Sequence, residues 1–146
     1  LLQSLDKLKN LSFTGERQDE TQVTHCKKIR KEDGFIDWQL NSVTIYQKYQ
    51  AFYPWPGLYT YFKGKRIKLL SLQQVDKLEN LEKKQDVLGK FWYNKNKDML
   101  VVQAKESFIG ITELQQEGTA KKKAKDFWNG LSRYSLDECI FESGLK

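Results

Sequence analysis

Hydrophobic residues recur along the chain with two periodicities, and two segments before Gly57 have the periodicity of a helix. In residues 1–11 leucines recur every three or four positions, which predicts an amphipathic helix. Residues 12–41 have little periodicity and are read as a basic linker. Apolar residues return to helical spacing over 42–52. This second helix should end before Pro54 and Pro56, since a proline pushes the preceding residue out of the α region.

Beyond Gly57 the periodicity of the hydrophobic residues changes to that of β-strands. Alternating and β-rich runs predict five strands, at 58–62, 67–75, 89–93, 99–104 and 108–114. A further helix is predicted at about 120–129. Five short strands with polar connections are typical of a small OB-like, open Greek-key barrel. We therefore expect a mainly β domain with flanking helices (α+β overall) over residues 42–131, followed by a tail at 132–146.

The composition indicates a folded domain and no membrane segment. The chain has 146 residues, of which 39% are hydrophobic and 13% aromatic, enough for one core and too many for a disordered tail. No stretch approaches the roughly 18 consecutive apolar residues of a membrane helix. Two cysteines, Cys26 and Cys139, lie too far apart in sequence for a disulfide framework or a zinc motif, so they predict reduced thiols in the cytoplasm.

Positive charge is concentrated in three short clusters without acidic residues, at 27–31, 63–68 and 121–125. The clusters carry +12, and because the chain carries +6 in total, the remaining residues carry −6. This pattern favours an anion-binding surface if the clusters converge in space; otherwise they are three unrelated solvated faces. The candidate nucleic-acid-binding residues are Lys27, Lys28, Arg30, Lys31, Lys63, Lys65, Arg66, Lys68, Lys121, Lys122, Lys123 and Lys125.

The residues contain no recognisable catalytic or metal-binding pattern. The one histidine, His25, is followed by Cys26, but neighbours in sequence rarely form a nucleophile–base pair or a metal site. Glycine-rich phosphate loops and zinc-protease motifs are absent from the sequence. We therefore assign no catalytic residue, no metal and no cofactor to this chain, and we read His25 as a linker residue.

An aromatic segment at 52–62 surrounds the only two prolines of the chain. One interpretation is a platform on which the bases of a nucleic acid stack. The other is a packed corner, in which the prolines stiffen the turn and Trp55 plugs the end of the barrel. Because large aromatic side chains usually serve burial first, the second interpretation is favoured, and it predicts a buried Trp55.

Four stretches of the chain, in order, resemble the motifs of one known family. They are KEDGFIDW at 31–38, AFYPWPG at 51–57, GKRIK at 64–68, and LQQEG at 114–118 with FWNG at 127–130. The first is similar to the linker signature Lys-x-Asp-Gly-x-Ile-Asp-Trp, and the second to Ala-Phe-Asn-Pro-Trp-Pro-Gly. Over residues 20–131 the chain thus resembles the linker and C-terminal domain of bacterial-type methionyl-tRNA formyltransferases.

The resemblance implies a division of labour between two domains. In that family an N-terminal Rossmann-like domain binds 10-formyltetrahydrofolate and carries the catalytic residues, none of which can be assigned to this chain. Residues 1–11 would be the last helix of that domain. The C-terminal domain is OB-like and, with the linker, presents a basic surface to the initiator methionyl-tRNA. We therefore expect the tRNA and the N-terminal catalytic domain as partners, in a monomeric cytoplasmic enzyme.

Two other functions remain open on the sequence. An independent OB-type module could bind single-stranded nucleic acid by stacking bases on Trp55, Tyr59 and Tyr61. A related formyltransferase could instead act on a nucleotide sugar or on formylfolate, in which case the basic clusters should be scattered. Burial of Trp55 would argue against the first alternative, and convergence of the clusters would argue against the second.

Overall fold

The computed structural model describes residues 17–75 and 87–143, so the predicted helix at 1–11 lies outside the described residues. Within them an antiparallel sheet is flanked by two α-helices. The strands are β1 (Leu58–Phe62), β2 (Lys65–Gln74), β3 (Phe91–Asn94), β4 (Met99–Ala104), β5 (Ser107–Gln116) and β6 (Lys122–Lys123). The helices are α1 (Ser42–Phe52) and α2 (Ala124–Asn129), and short 3-10 helices occur at Glu20–Gln22, Lys31–Gly34 and Leu136–Glu138.

The strands pair in the order β1-β2-β5-β4-β3, and β6 is paired with β5. The prediction of a mainly β domain with flanking helices is confirmed. In the described part of the chain the sheet stays open between β1 and β3 and does not close into a barrel. Segment 31–36 runs alongside β1, where Phe35 forms a parallel bridge with Tyr59 and the Ile36 amide donates to the Tyr59 carbonyl oxygen at 3.0 Å.

The predicted elements match the observed ones closely, with one difference near the C-terminus. Helix α1 occupies the predicted range, and its N-cap Asn41 accepts a hydrogen bond from the Thr44 amide at 2.8 Å. The second helix is shorter than the predicted 120–129, because Lys122 and Lys123 pair with Leu114 and Glu113 as strand β6. Backbone pairing with β5 thus replaces the first turns of the predicted helix.

The hydrophobic core includes side chains that come before and after the predicted domain range 42–131 in the sequence. Trp38 and Phe141 are fully buried and stack with ring centroids 5.8 Å apart. The Trp38 indole N–H donates to the Thr60 hydroxyl at 3.4 Å, and Thr60 in turn donates to the Glu142 carbonyl oxygen at 3.2 Å. Segments that precede and follow the sheet in sequence therefore pack on each other in the hydrophobic core. The exact domain boundaries stay a prediction.

The predicted burial of Trp55 is wrong, because 55% of this residue is exposed. The Gly57 amide donates to the Phe52 carbonyl oxygen at 3.0 Å and closes a turn around residues 53–56. Tyr53, Pro54 and Trp55 are exposed in that turn, whereas Pro56 is buried. The large aromatic side chains Trp38 and Phe141 are buried in the core instead.

Gly34 lies where segment 31–36 passes closest to this turn. A Cβ atom at Gly34 would overlap the carbonyl oxygen of Gly57, a backbone atom that cannot rotate away. We expect Gly34→Ala to lower the free energy of unfolding by about 1–3 kcal/mol, measured by urea denaturation. Gly130→Ala is the control, because its Cβ would meet its nearest neighbour at 3.4 Å with an ordinary φ of −71°. Equal effects of the two substitutions would contradict this explanation.

Candidate nucleic-acid interface

The β1–β2 hairpin divides the second basic cluster between two faces of the sheet. Its turn is formed by Lys63 and Gly64, both with positive φ. Side chains alternate along β2, so Lys65 faces the same side as the buried Ile67, while Arg66 and Lys68 face the other. Lys65 is also the partner of buried Phe62 across the hairpin. The cluster therefore supplies cations to two separate grooves.

The first groove, called here the basic groove, is formed by the side chains of Lys63, Lys65, Lys122 and Arg133. It has a volume of about 130 Å³, and its floor includes Phe62 and Tyr134. The four cations come from three elements: the β1–β2 hairpin, strand β6 and the tail. Among the residues that the structure describes, Lys63 is the one member with an ion-pair partner, Glu138 at 3.3 Å. The groove is therefore a concentrated, weakly compensated positive site.

Tyr134 organises the tail side of the basic groove. Its ring packs edge-to-face on Phe62, with centroids 5.6 Å apart. The Lys63 amine lies 5.4 Å and the Arg133 guanidinium 5.0 Å from the centre of the Tyr134 ring, within the range of cation–π attraction. Arg133 was missed by the sequence analysis because it is an isolated arginine in a tail without a predicted structure.

Glu138 ties the tail to the hairpin. The backbone N–H and the hydroxyl of Ser135 both donate to one Glu138 carboxylate oxygen, at 2.9 Å and 3.0 Å. The Lys63 amine donates to the other oxygen. These contacts, with the Ser135 amide as the largest, hold the pKa of Glu138 below its usual value. The carboxylate is thus ionised throughout the neutral pH range, and it holds Lys63 beside the tail.

The second groove, called here the Arg66 groove, lies on the opposite face of the hairpin. It has a volume of about 270 Å³ and is lined by Arg66, Lys68, Gln115 and Glu117. The Arg66 guanidinium lies 4.0 Å above the Tyr59 ring, and its Nε is buried without a hydrogen-bond partner in the described part of the chain. The contact with the Tyr59 ring constrains the plane of the guanidinium at the edge of the groove that Arg66 lines.

The linker cluster at 27–31 precedes Phe35, whose ring packs on Tyr59, the residue that also contacts Arg66. The Phe35 ring packs edge-to-face on Tyr59, with centroids 5.6 Å apart. The Arg30 amide donates to the Asp33 carboxylate at 2.7 Å and shapes the turn that leads into Phe35. Burial is the main cause of a raised pKa at Tyr59, and the charge of Glu32, next to Lys31, adds to it. Lys27, Lys28, Arg30 and Lys31 are all exposed.

The third basic cluster, at 121–125, is also divided between two faces, because side chains alternate along strand β6. Lys122 lies in the basic groove, whereas Lys123 lines a separate depression with Lys97, Asp98 and Glu113. Lys121 and Lys125 are exposed and line none of these grooves. The structure therefore brings Lys63, Lys65 and Lys122 together with Arg133, and it does not unite the predicted cations into one patch.

A tyrosine near the Lys123 depression offers a test of the local electrostatics. The Tyr93 hydroxyl donates to the Asp98 carboxylate, which raises the pKa of Tyr93 to about 12. Because the folded pKa exceeds the ordinary value of 10.0, this contribution to stability is complete below pH 10 and is lost as the pH rises through about 12. In Asp98→Asn, which suits the φ of 47° at this position, the Tyr93 titration should move back towards 10, as measured by tyrosinate absorbance. An unchanged titration curve would contradict the assigned cause.

The described residues hold few features of other site types. His25 and Cys26 are exposed, and Cys139 is buried. In residues 17–75 and 87–143, no three histidine, cysteine, aspartate or glutamate side chains are grouped so that they could hold a metal ion. None of the helices in these two ranges has the length and apolar character needed to cross a membrane.

Methionyl-tRNA formyltransferases are among the sequence relatives of this chain. This chain is 37% identical over 129 residues to the methionyl-tRNA formyltransferase of Caldicellulosiruptor saccharolyticus (strain ATCC 43494 / DSM 8903 / Tp8T 6331). It is 36% identical over 126 residues to that of Campylobacter lari (strain RM2100 / D67 / ATCC BAA-1060). Each alignment covers 86% of this chain but only 40% and 38% of the relatives. The chain therefore spans about two fifths of their length.

Solved structures share the fold, and a family model matches most of the chain. Crystal structures of HypX from Aquifex aeolicus superpose with TM-scores of 0.60 and, for the complex with tetrahydrofolic acid, 0.57. The first covers 90% of this chain and 22% of HypX at 17% identity, so the likeness concerns the fold alone. The model of the formyl transferase C-terminal domain matches residues 28–132. The resemblance seen in the four motifs is thereby confirmed: the chain belongs to the formyl transferase C-terminal domain family.

Proposed function

We propose that this chain is the tRNA-binding C-terminal part of a methionyl-tRNA formyltransferase. The parent enzyme transfers a formyl group from 10-formyltetrahydrofolate to the amino group of methionyl-initiator tRNA. Family membership and the names of the relatives support this proposal. The N-terminal domain of the parent binds the formyl donor and carries out the chemistry. This chain supplies affinity and orientation, in a monomeric cytoplasmic enzyme.

The basic groove is the observation that carries the tRNA part of the proposal. Four cations from three elements surround a concave site of about 130 Å³, whose one acidic neighbour among the described ion pairs is already bound to Lys63. A phosphate group of an RNA backbone matches this site in charge and shape. Phosphate contacts position an RNA without reading its sequence. The groove therefore holds the tRNA backbone while the aminoacyl end reaches the catalytic domain.

The Arg66 groove supplies further cations on the opposite face of the hairpin. Tyr59 fixes the Arg66 guanidinium before any ligand binds, so less side-chain freedom is lost when a phosphate is bound. Lys68 lies two residues further along the same face of β2. Together the two grooves offer six cations, Lys63, Lys65, Arg66, Lys68, Lys122 and Arg133.

The salt dependence of tRNA binding tests the proposal. With about six phosphate contacts, the logarithm of the association constant should fall against the logarithm of salt concentration with a slope of about −4 to −5. The measurement is a filter-binding or fluorescence titration of initiator tRNA with the parent protein, over a range of salt concentrations. A slope near zero would contradict a tRNA-binding surface built on these cations.

The alternative of a related formyltransferase acting on a nucleotide sugar or on formylfolate has weaker support. The relatives are named methionyl-tRNA formyltransferases, and Lys63, Lys65 and Lys122 share one groove. Were that alternative correct, tRNA would not compete with the true substrate. Competitive inhibition by uncharged initiator tRNA in a formylation assay therefore separates the two functions.

A further inference from the structure

The turn between α1 and β1 exposes two large aromatic side chains. Tyr53 is 70% exposed and Trp55 is 55% exposed, whereas Tyr59 in the following strand is only 5% exposed. Both proline bonds of the turn, Tyr53-Pro54 and Trp55-Pro56, are cis. Tyr53 and Trp55 together are called here the aromatic corner. Because water contact with a tryptophan forfeits a large hydrophobic contribution, an exposed pair of this kind indicates a binding surface.

A groove of about 240 Å³ lies beside the aromatic corner. Lys68 is the one charged residue in its lining, which otherwise consists of Tyr49, Tyr53, Pro54, Gly57, Leu58, Leu69 and Leu70. The Lys68 side chain runs past Gly57, where a Cβ atom would lie 3.1 Å from its Cε. Because Gly57 has no side chain, it leaves space for the aliphatic part of the Lys68 side chain. The Lys68 amine thereby reaches the groove.

The walls of the groove are held by contacts within the fold. The Tyr49 hydroxyl donates to the Leu70 carbonyl oxygen at 3.1 Å. The Tyr49 ring in turn packs edge-to-face on Tyr53, with centroids 6.5 Å apart. One exposed aromatic ring is thus fixed against α1, and the groove is formed without a ligand.

We propose that the aromatic corner and Lys68 bind one unpaired nucleotide of the RNA held by the two grooves. The base stacks on Trp55 beside Tyr53, which lines the groove, and the phosphate is bound by the Lys68 amine. This inference rests on the proposed function, because it takes the partner to be RNA. Stacking accepts every base, since each base has an aromatic face, so the site has little sequence preference.

The continuity of positive charge favours RNA over a protein partner. Lys68 lines both this groove and the Arg66 groove, so the two sites share one cation. Arg66 and Lys68 lie two residues apart on one face of β2, a distance of about 7 Å along the strand. That spacing is close to the separation of successive phosphates in an extended single strand. No acidic residue lines the groove, and a row of cations of this kind complements a polyanion.

Two RNA probes and Trp55 variants of the full chain test the inference. The probes are an unpaired oligouridylate of about eight nucleotides and an RNA duplex with the same number of phosphates. Trp55→Ala should weaken binding of the unpaired RNA by about 5- to 150-fold, the range expected for one lost base stack, and leave duplex binding unchanged. Trp55→Phe should retain most of the affinity, because phenylalanine still stacks.

Tryptophan fluorescence gives a second readout on the same proteins. Unpaired RNA should quench the emission of the unmodified chain, and this quenching should be lost in Trp55→Phe. Trp92→Phe is the matched control, since Trp92 packs on Phe108 on another strand, and it should leave the quenching intact. Loss of quenching in Trp92→Phe alone would overturn the assignment of the signal to the corner.

Failure of the inference can be told apart from failure of the proposed function. If the chain binds both RNAs with a steep salt dependence and Trp55→Ala binds them as before, only the inference is overturned, and the corner is left as a surface for a protein contact. If the chain binds neither RNA, both are overturned. If Trp55→Ala weakened binding of the unpaired RNA and of the duplex equally, the inference would also be overturned, because stacking requires an unpaired base.

Discussion

Phe141→Ala is expected to lower the free energy of unfolding by about 3–5 kcal/mol. Phe141 is fully buried and stacks on Phe91 with ring centroids 4.2 Å apart, and on Trp38 at 5.8 Å. Alanine would leave a cavity between two large rings that backbone contacts hold in place. The Phe141 amide donates to the Gly89 carbonyl oxygen, and the Phe91 amide donates to that of Cys139, both at 2.9 Å. Neighbouring side chains can therefore collapse into the cavity only in part.

This loss would be a large fraction of the stability of a domain of this size, which is typically about 5–15 kcal/mol. Urea denaturation should show a lower midpoint with an unchanged slope, since the surface exposed on unfolding is nearly the same. Leu136→Ala in the same tail is the control, because Leu136 is 64% exposed and should change stability by less than about 0.5 kcal/mol. A similar small effect for both variants would mean that the tail contributes nothing to the core.

Replacing Lys63, Lys65 and Lys122 together by glutamine is expected to weaken tRNA binding about 100-fold. At roughly 0.15 M salt, each phosphate contact contributes about 0.7 logarithmic units through counterion release, and three contacts are lost. The slope of affinity against salt should become shallower by two to three units for the same reason. The three side chains are exposed, so the fold should be retained, which an unchanged thermal midpoint would verify. The measurement is the salt titration proposed above, carried out on the variant.

A control variant with the same net charge separates local contacts from overall attraction. Lys95, Lys97 and Lys105 are exposed in the β3–β4 and β4–β5 turns and line neither the basic groove nor the Arg66 groove. Their joint replacement by glutamine should weaken tRNA binding by less than about threefold, since distant surface charges are screened at this ionic strength. If both triple variants lost the same affinity, the basic groove would have no special role.

Much of the secondary structure could be predicted because local patterns dominate it. Helix α1 has apolar residues at helical spacing, a capping asparagine and two prolines at its end, and each of these signals acts within a few residues. The five strands have alternating or β-rich patterns between polar turns. Strand β6 could not be predicted, because Lys122 and Lys123 are extended only through their pairing with β5. No local signal in the sequence indicated that the helix begins later than predicted.

The family motifs also have a physical explanation that the sequence did not reveal. Gly34 in the linker motif and Gly57 in the second motif meet in space, where the Gly57 carbonyl oxygen occupies the position that a Cβ of Gly34 would need. Trp38 in the same linker motif is the largest fully buried side chain among the described residues. Motifs that are separate in sequence thus specify one packed junction between segment 31–36 and the turn at 53–57.

By itself the sequence determined the class of fold, the family and the presence of three basic clusters, because these follow from local periodicity, motif order and composition. Tertiary structure decided which cations lie together. Lys65 and Lys68 lie three positions apart in a strand and so face opposite sides, while Lys122 and Arg133 join Lys65 from distant segments. It also decided that Trp38 is buried and Trp55 exposed, because packing depends on which segment reaches the core, and no local pattern contains that information.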